Sequence, residues 1–81
     1  MPTVFHRAGY RFFFFSNEGS PREPPHVHVR KGGQEAKFAL FPDVAVVDAF
    51  GFNAAELNAL AKLVRQEKPR ILRAWRDYFG D

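Results

Sequence analysis

The sequence predicts an α+β fold: an antiparallel four- or five-stranded sheet built from two hairpins, with a C-terminal helix or helices packed on one face. Three observations carry this. Apolar and polar residues alternate on both sides of Ala8-Gly9, and again on both sides of Gly32-Gly33. That is the period-two signature of paired strands. From Leu57 onward, apolar residues recur at three- and four-residue spacing, the period of a helix. With 81 residues the chain forms one domain, 1–81, β-rich over 1–50 and helical over 53–79.

The first hairpin joins a strand over 4–7 to one over 10–15 through a two-residue turn. This pairs Arg7 with Tyr10, His6 with Arg11, Phe5 with Phe12 and Val4 with Phe13. Phe5, Tyr10, Phe12 and Phe14 then share one face, and Val4, His6, Arg11, Phe13 and Phe15 the other. Residues 16–25 read as a loop, rich in Asn, Gly, Ser and Pro. Pro24-Pro25 favours extended backbone directly before His26.

The second hairpin runs over 26–31 and 34–41. Its register sets Lys31 against Gln34, Arg30 against Glu35, Val29 against Ala36, His28 against Lys37 and Val27 against Phe38. Val27, Val29, Ala36, Phe38 and Leu40 fall on one side, and His26, His28, Arg30, Glu35 and Lys37 on the other. Both strands thus agree on which face is polar, which fixes the pairing. A short strand or extended segment follows over 44–50.

Asn53 and Glu56 form a capping-box pattern at the helix start. The apolar stripe is Leu57, Leu60, Ala61, Val64, Ile71, Leu72, Trp75, Tyr78 and Phe79, with Leu63 the main misfit. Pro69 lies inside it and removes a backbone hydrogen bond. Either one helix bends sharply there, or a second helix begins with Pro69 in its first turn.

Composition bounds the function. Cysteine is absent, which rules out disulfides and thiolate metal sites. No apolar run approaches the ~20 residues of a membrane span. Arg7 and Arg11 interrupt any leader-like segment, so a cytoplasmic protein with no membrane partner is expected. The formal charge is +3, which permits a phosphate-bearing partner. Ten phenylalanines exceed what so small a core needs. The excess points to a partner surface or a homodimer contact, with a dense core as the simpler explanation.

Chemistry centres on Glu23-Pro24-Pro25-His26-Val27-His28-Val29. Alternate strand positions place His26 and His28 side by side on one face, with Arg30 next. Three uses fit. As general acid and base, the histidines serve phosphate chemistry while Arg30 and Lys37 hold the anion. As metal ligands, they need a third donor from His6, Glu35 or the Glu18/Glu23 loop, against repulsion from Arg30 and Lys37. As a solvated polar face, they do nothing. A second basic surface comes from Lys62, Arg65, Arg73 and Arg76, which cluster in one sector of a continuous helix, with Glu56, Glu67 and Asp77 on the opposite flank. Gly32-Gly33 lacks the spacing of a nucleotide-binding loop, and no cofactor is expected.

Met1-Pro2-Thr3-Val4, the run Gly9-Tyr10-Arg11-Phe12-Phe13-Phe14-Phe15-Ser16-Asn17-Glu18 and Glu23-Pro24-Pro25-His26-Val27-His28-Val29 together resemble a family of short prokaryotic proteins catalogued as domain of unknown function 4160. The likeness continues through Ala36-Lys37-Phe38, Gly51-Phe52-Asn53-Ala54-Ala55-Glu56-Leu57 and Ala74-Trp75-Arg76-Asp77-Tyr78-Phe79-Gly80. Pro69 departs from the uninterrupted helix expected there. The resemblance implies a member of a toxin–antitoxin-like gene pair, with a small cognate partner protein and RNA or operator DNA as targets. The alternatives are a non-enzymatic interaction module and a metal-binding hydrolase using His26 and His28.

Overall fold

The structure, a computed structural model, describes residues 3–18 and 23–80. Residues 19–22 of the expected loop, and Met1-Pro2 of the motif, lie outside the described residues. Five strands form one antiparallel sheet in sequential order: β1 (Thr3–Arg7), β2 (Tyr10–Phe13), β3 (His26–Lys31), β4 (Gln34–Ala39) and β5 (Ala45–Phe50). Two helices follow, α1 (Ala54–Gln66) and α2 (Lys68–Phe79). The fold is α+β, as the two periodicities predict.

The second hairpin has the expected register at every pair, from Lys31 opposite Gln34 to Val27 opposite Phe38. Gly32 adopts φ 58°, a value its turn needs and a side chain resists. The first hairpin departs in two places. Arg7–Tyr10, His6–Arg11 and Phe5–Phe12 pair as expected, but Phe13 faces Thr3 rather than Val4. A register shift between Thr3 and Phe5 turns Val4 out of the polar set and against the core. The second strand also stops at Phe13. Phe14 leaves it to pack edge-on against Trp75, with ring centroids 5.1 Å apart.

The core lies on one face of the sheet. Phe5, Phe12, Val27, Val29, Ala36 and Phe38 from the sheet, with Leu40 just past the end of β4, meet Leu60 and Val64 of α1 and Ile71 and Trp75 of α2. Asn53 and Glu56 exchange the two capping-box bonds, at 2.8 and 2.9 Å. The helical stripe resolves at Pro69 into two helices meeting at Glu67, with Pro69 in the first turn of α2. There its missing N–H costs nothing. Much of the phenylalanine excess goes to the interior: Phe5, Phe12, Phe13, Phe14 and Phe38 are buried. Phe41 and Phe50 remain exposed.

Phe12→Ala empties a fully enclosed site and lowers unfolding free energy by about 3–5 kcal/mol. Phe50→Ala, at the exposed end of β5, changes it by less than about 0.5 kcal/mol. Urea denaturation of both variants checks the contrast, and equal losses contradict this division of the aromatic residues.

Candidate functional site: a buried carboxylate shared by two histidines

Burial on the polar side of the sheet begins with the strand geometry. Successive side chains of β3 alternate, so Val27 and Val29 enter the core while His28 turns to the other face beside Phe13. Neither histidine is solvated: His26 is 3% and His28 7% exposed. Phe13 stacks on the His28 ring at 5.4 Å, and Phe15 meets it edge-on at 4.5 Å. The Trp75 ring lies 5.0 Å from His26.

What fills the space above them is Glu18. Ser16–Glu18 forms a single 3₁₀ turn after β2. Within it the Phe15 N–H donates to Glu18 Oε1 at 2.9 Å, and the Glu18 N–H returns a bond to the Phe15 carbonyl at 3.2 Å. This reciprocal pair orients the carboxylate. Its second oxygen, Oε2, then lies 2.5 Å from His26 Nε2 and 2.6 Å from His28 Nε2. Glu18 is itself only 5% exposed. The other nitrogen of His26, Nδ1, contacts the Pro24 carbonyl at 2.9 Å. The proline pair therefore sets the ring as well as the strand entrance. His28 Nδ1 is buried and has no hydrogen-bond partner, with Glu35 Oε2 4.0 Å away.

The electrostatics follow from this packing. Burial pushes the Glu18 carboxyl up, but hydrogen bonds from His26, His28 and the Phe15 amide, with the His28 charge, hold it below its usual range. Burial pushes His28 down, and its contact with Glu18 only partly offsets this.

The remaining predicted residues divide into two groups. Arg30 donates to Glu35 Oε1 at 2.7 Å and lies over the Phe13 ring. Lys37 faces His28 across the β3–β4 ladder, 3.9 Å from Glu23 Oε1. It separates two hollows. One, of about 260 Å³, is lined by His28, Glu35, Lys37 and Asp48 among others. The other, of about 160 Å³, is lined by His26, Lys37, Glu23 and Val47 among others. His6 is exposed on β1 and stands outside the carboxylate–histidine cluster. On the helices, Arg65, Arg73 and Arg76 line one hollow of about 620 Å³ with Lys68. Asp77 borders the same hollow, and Lys62 is not among its lining residues. Glu67 binds Arg7 at 2.6 Å, tying the helix junction to β1.

A family model described as a domain of unknown function, DUF4160, matches residues 9–76. The chain belongs to the DUF4160 family. That match spans Glu18, both histidines and most of both helices. No curated protein and no solved structure matches this DUF4160 chain.

Both lowered groups give one sign of pH dependence. Between each depressed folded value and its ordinary value (6.5 for His28, 4.5 for Glu18), the unfolded chain binds more protons. Their stabilising effect is complete above pH 6.5 and is lost as pH falls through that window and then through the carboxylate range. The thermal midpoint should drop from pH 7 to pH 5, and His28→Gln should flatten the upper part of the drop. A midpoint flat over that range, or equally steep in the variant, contradicts the assignment.

Proposed function

We propose that this chain is the nucleic-acid-directed member of a toxin–antitoxin-like gene pair, with the polar face of the sheet as its working surface. One observation carries this: the buried Glu18–His26–His28 cluster adjoins that face through two hollows, and Lys37 lines both. In this account the histidine centre supplies the reactive group. Arg30 and Lys37 supply phosphate contacts, and Arg65, Arg73 and Arg76 extend the positive field along the helices. Burying two imidazoles and a carboxylate together costs desolvation that a purely structural strand avoids with apolar residues. The family resemblance supports the paired gene and its small protein partner.

A second reading, a non-enzymatic interaction module, is favoured by β5. All six of its residues are exposed, Val47 by 58% and Phe50 by 75%, and it has neither a lysine nor a proline to protect the edge. Inducible expression in a bacterial host separates the two. The account predicts growth arrest by the wild type, relieved when both His26→Ala and His28→Ala are introduced and the protein stays folded and equally abundant. Arrest that persists in the double variant removes the histidine centre from the function. Absence of arrest by the wild type favours the interaction module. On RNA, Lys37→Ala should weaken binding across sequences and reduce the log–log salt slope by about one, read by titration at several salt concentrations. An unchanged slope places the phosphate elsewhere.

A further inference from the structure

We propose that Glu18, His26 and His28 form the binding site for one divalent transition-metal ion, taken through Glu18 Oε2 and both Nε2 atoms. The inference deepens the reading of the same site, since it names the ion that the histidine centre holds.

The argument is a count of hydrogens. Three of the four ring nitrogens face an oxygen acceptor at hydrogen-bond distance. His26 has Glu18 Oε2 at 2.5 Å from Nε2 and the Pro24 carbonyl at 2.9 Å from Nδ1. His28 has the same Glu18 oxygen at 2.6 Å from Nε2, with Glu35 Oε2 4.0 Å from Nδ1. A neutral imidazole carries one N–H, and neither a carbonyl nor an ionised carboxylate can donate. Two neutral rings therefore bring two hydrogens to three nitrogens that face oxygen. Protons complete the set only by leaving His26 as an imidazolium ion at 3% exposure. His28 then spends its one N–H on Glu18, and its Nδ1 is left as a buried, unpartnered lone pair.

A metal ion at the Nε2 ends removes the conflict. Each ring then keeps its hydrogen at Nδ1, which in His26 meets the Pro24 carbonyl at 2.9 Å and in His28 has the Glu35 carboxylate 4.0 Å away. That is the outer-shell pattern which fixes the tautomer of metal-bound histidine. Two imidazoles with one carboxylate are a donor set for zinc and for other divalent first-row ions, and they exclude hard-cation cages built of oxygen alone. The three ligand groups lie within 4.8 Å of one another, all of them buried. Tetrahedral ligands stand roughly 3.3 Å apart around zinc. Small side-chain rotations open the present contacts that far. The repulsion expected from Arg30 and Lys37 is answered by their own carboxylates, Glu35 at 2.7 Å and Glu23 at 3.9 Å.

The test titrates Co²⁺ into the full chain after chelator treatment, following the visible d–d band, with Zn²⁺ as competitor. One Co²⁺ per chain is expected, displaced by Zn²⁺, with a higher thermal midpoint in the loaded protein. Glu18→Gln should abolish the band. Glu35→Gln, a half-exposed change that spares the fold, should weaken binding about tenfold or more. No saturable uptake by folded wild type overturns the proposal, as does binding unchanged by Glu18→Gln or by Glu35→Gln. Growth arrest and RNA binding on the same preparations separate the two claims. Histidine-dependent arrest without metal uptake defeats only the metal site, and uptake without arrest defeats only the nucleic-acid role.

Discussion

One carboxylate oxygen organises this molecule's polar side. Glu18 Oε2 meets both Nε2 atoms of a strand pair, and nothing else in the described residues brings a charge so deep. Without it, two imidazoles lie against Phe13, Phe15 and Trp75 with no acceptor at Nε2. Charge-assisted bonds of this kind run about 1.5–3 kcal/mol each, and leaving one partner buried alone costs at least as much. Rigidity is the return: turn, strand and proline pair all converge on positions that the carboxylate fixes.

The sheet makes this convergence possible because its two faces have separate tasks. The helical face holds the apolar residues that stabilise the domain, and α1 and α2 cover it. That leaves the opposite face to carry Glu18, the histidines and Lys37, with Trp75 of α2 touching both the core and His26. Arg7 and Glu67 join β1 to the helix junction, so the break at Pro69 is fastened to the sheet rather than left as a free bend. β5 completes the sheet but borders both hollows with Val47, Asp48 and Phe50, so whatever pairs with that edge lies next to the site.

Much of this was legible in the sequence, for definite reasons. Alternation over two strands fixes a register, because a slip of one residue inverts every side chain, and the pairs from Lys31–Gln34 to Val27–Phe38 followed. The capping box at Asn53 and Glu56 is local, so it too could be seen. Glu18 is different. It stood only as one of several donors in a loop, since a carboxylate ten residues before His28 has no periodicity linking it to a strand. The burial of His26 and His28 was likewise invisible, because alternation assigns a face but not what covers it. The shift at Val4 and the end of β2 at Phe13, where Phe14 turns to Trp75, leave no mark in the alternation.

The central claim is that Glu18 holds both histidines, and their ring nitrogens report it directly. A long-range ¹H–¹⁵N spectrum of the imidazoles, recorded for wild type and Glu18→Gln, has His6 as an exposed internal control. The account predicts that the Nε2 resonances of both His26 and His28 move in the variant while those of His6 stay. Movement of only one buried ring, or of neither, contradicts a shared carboxylate.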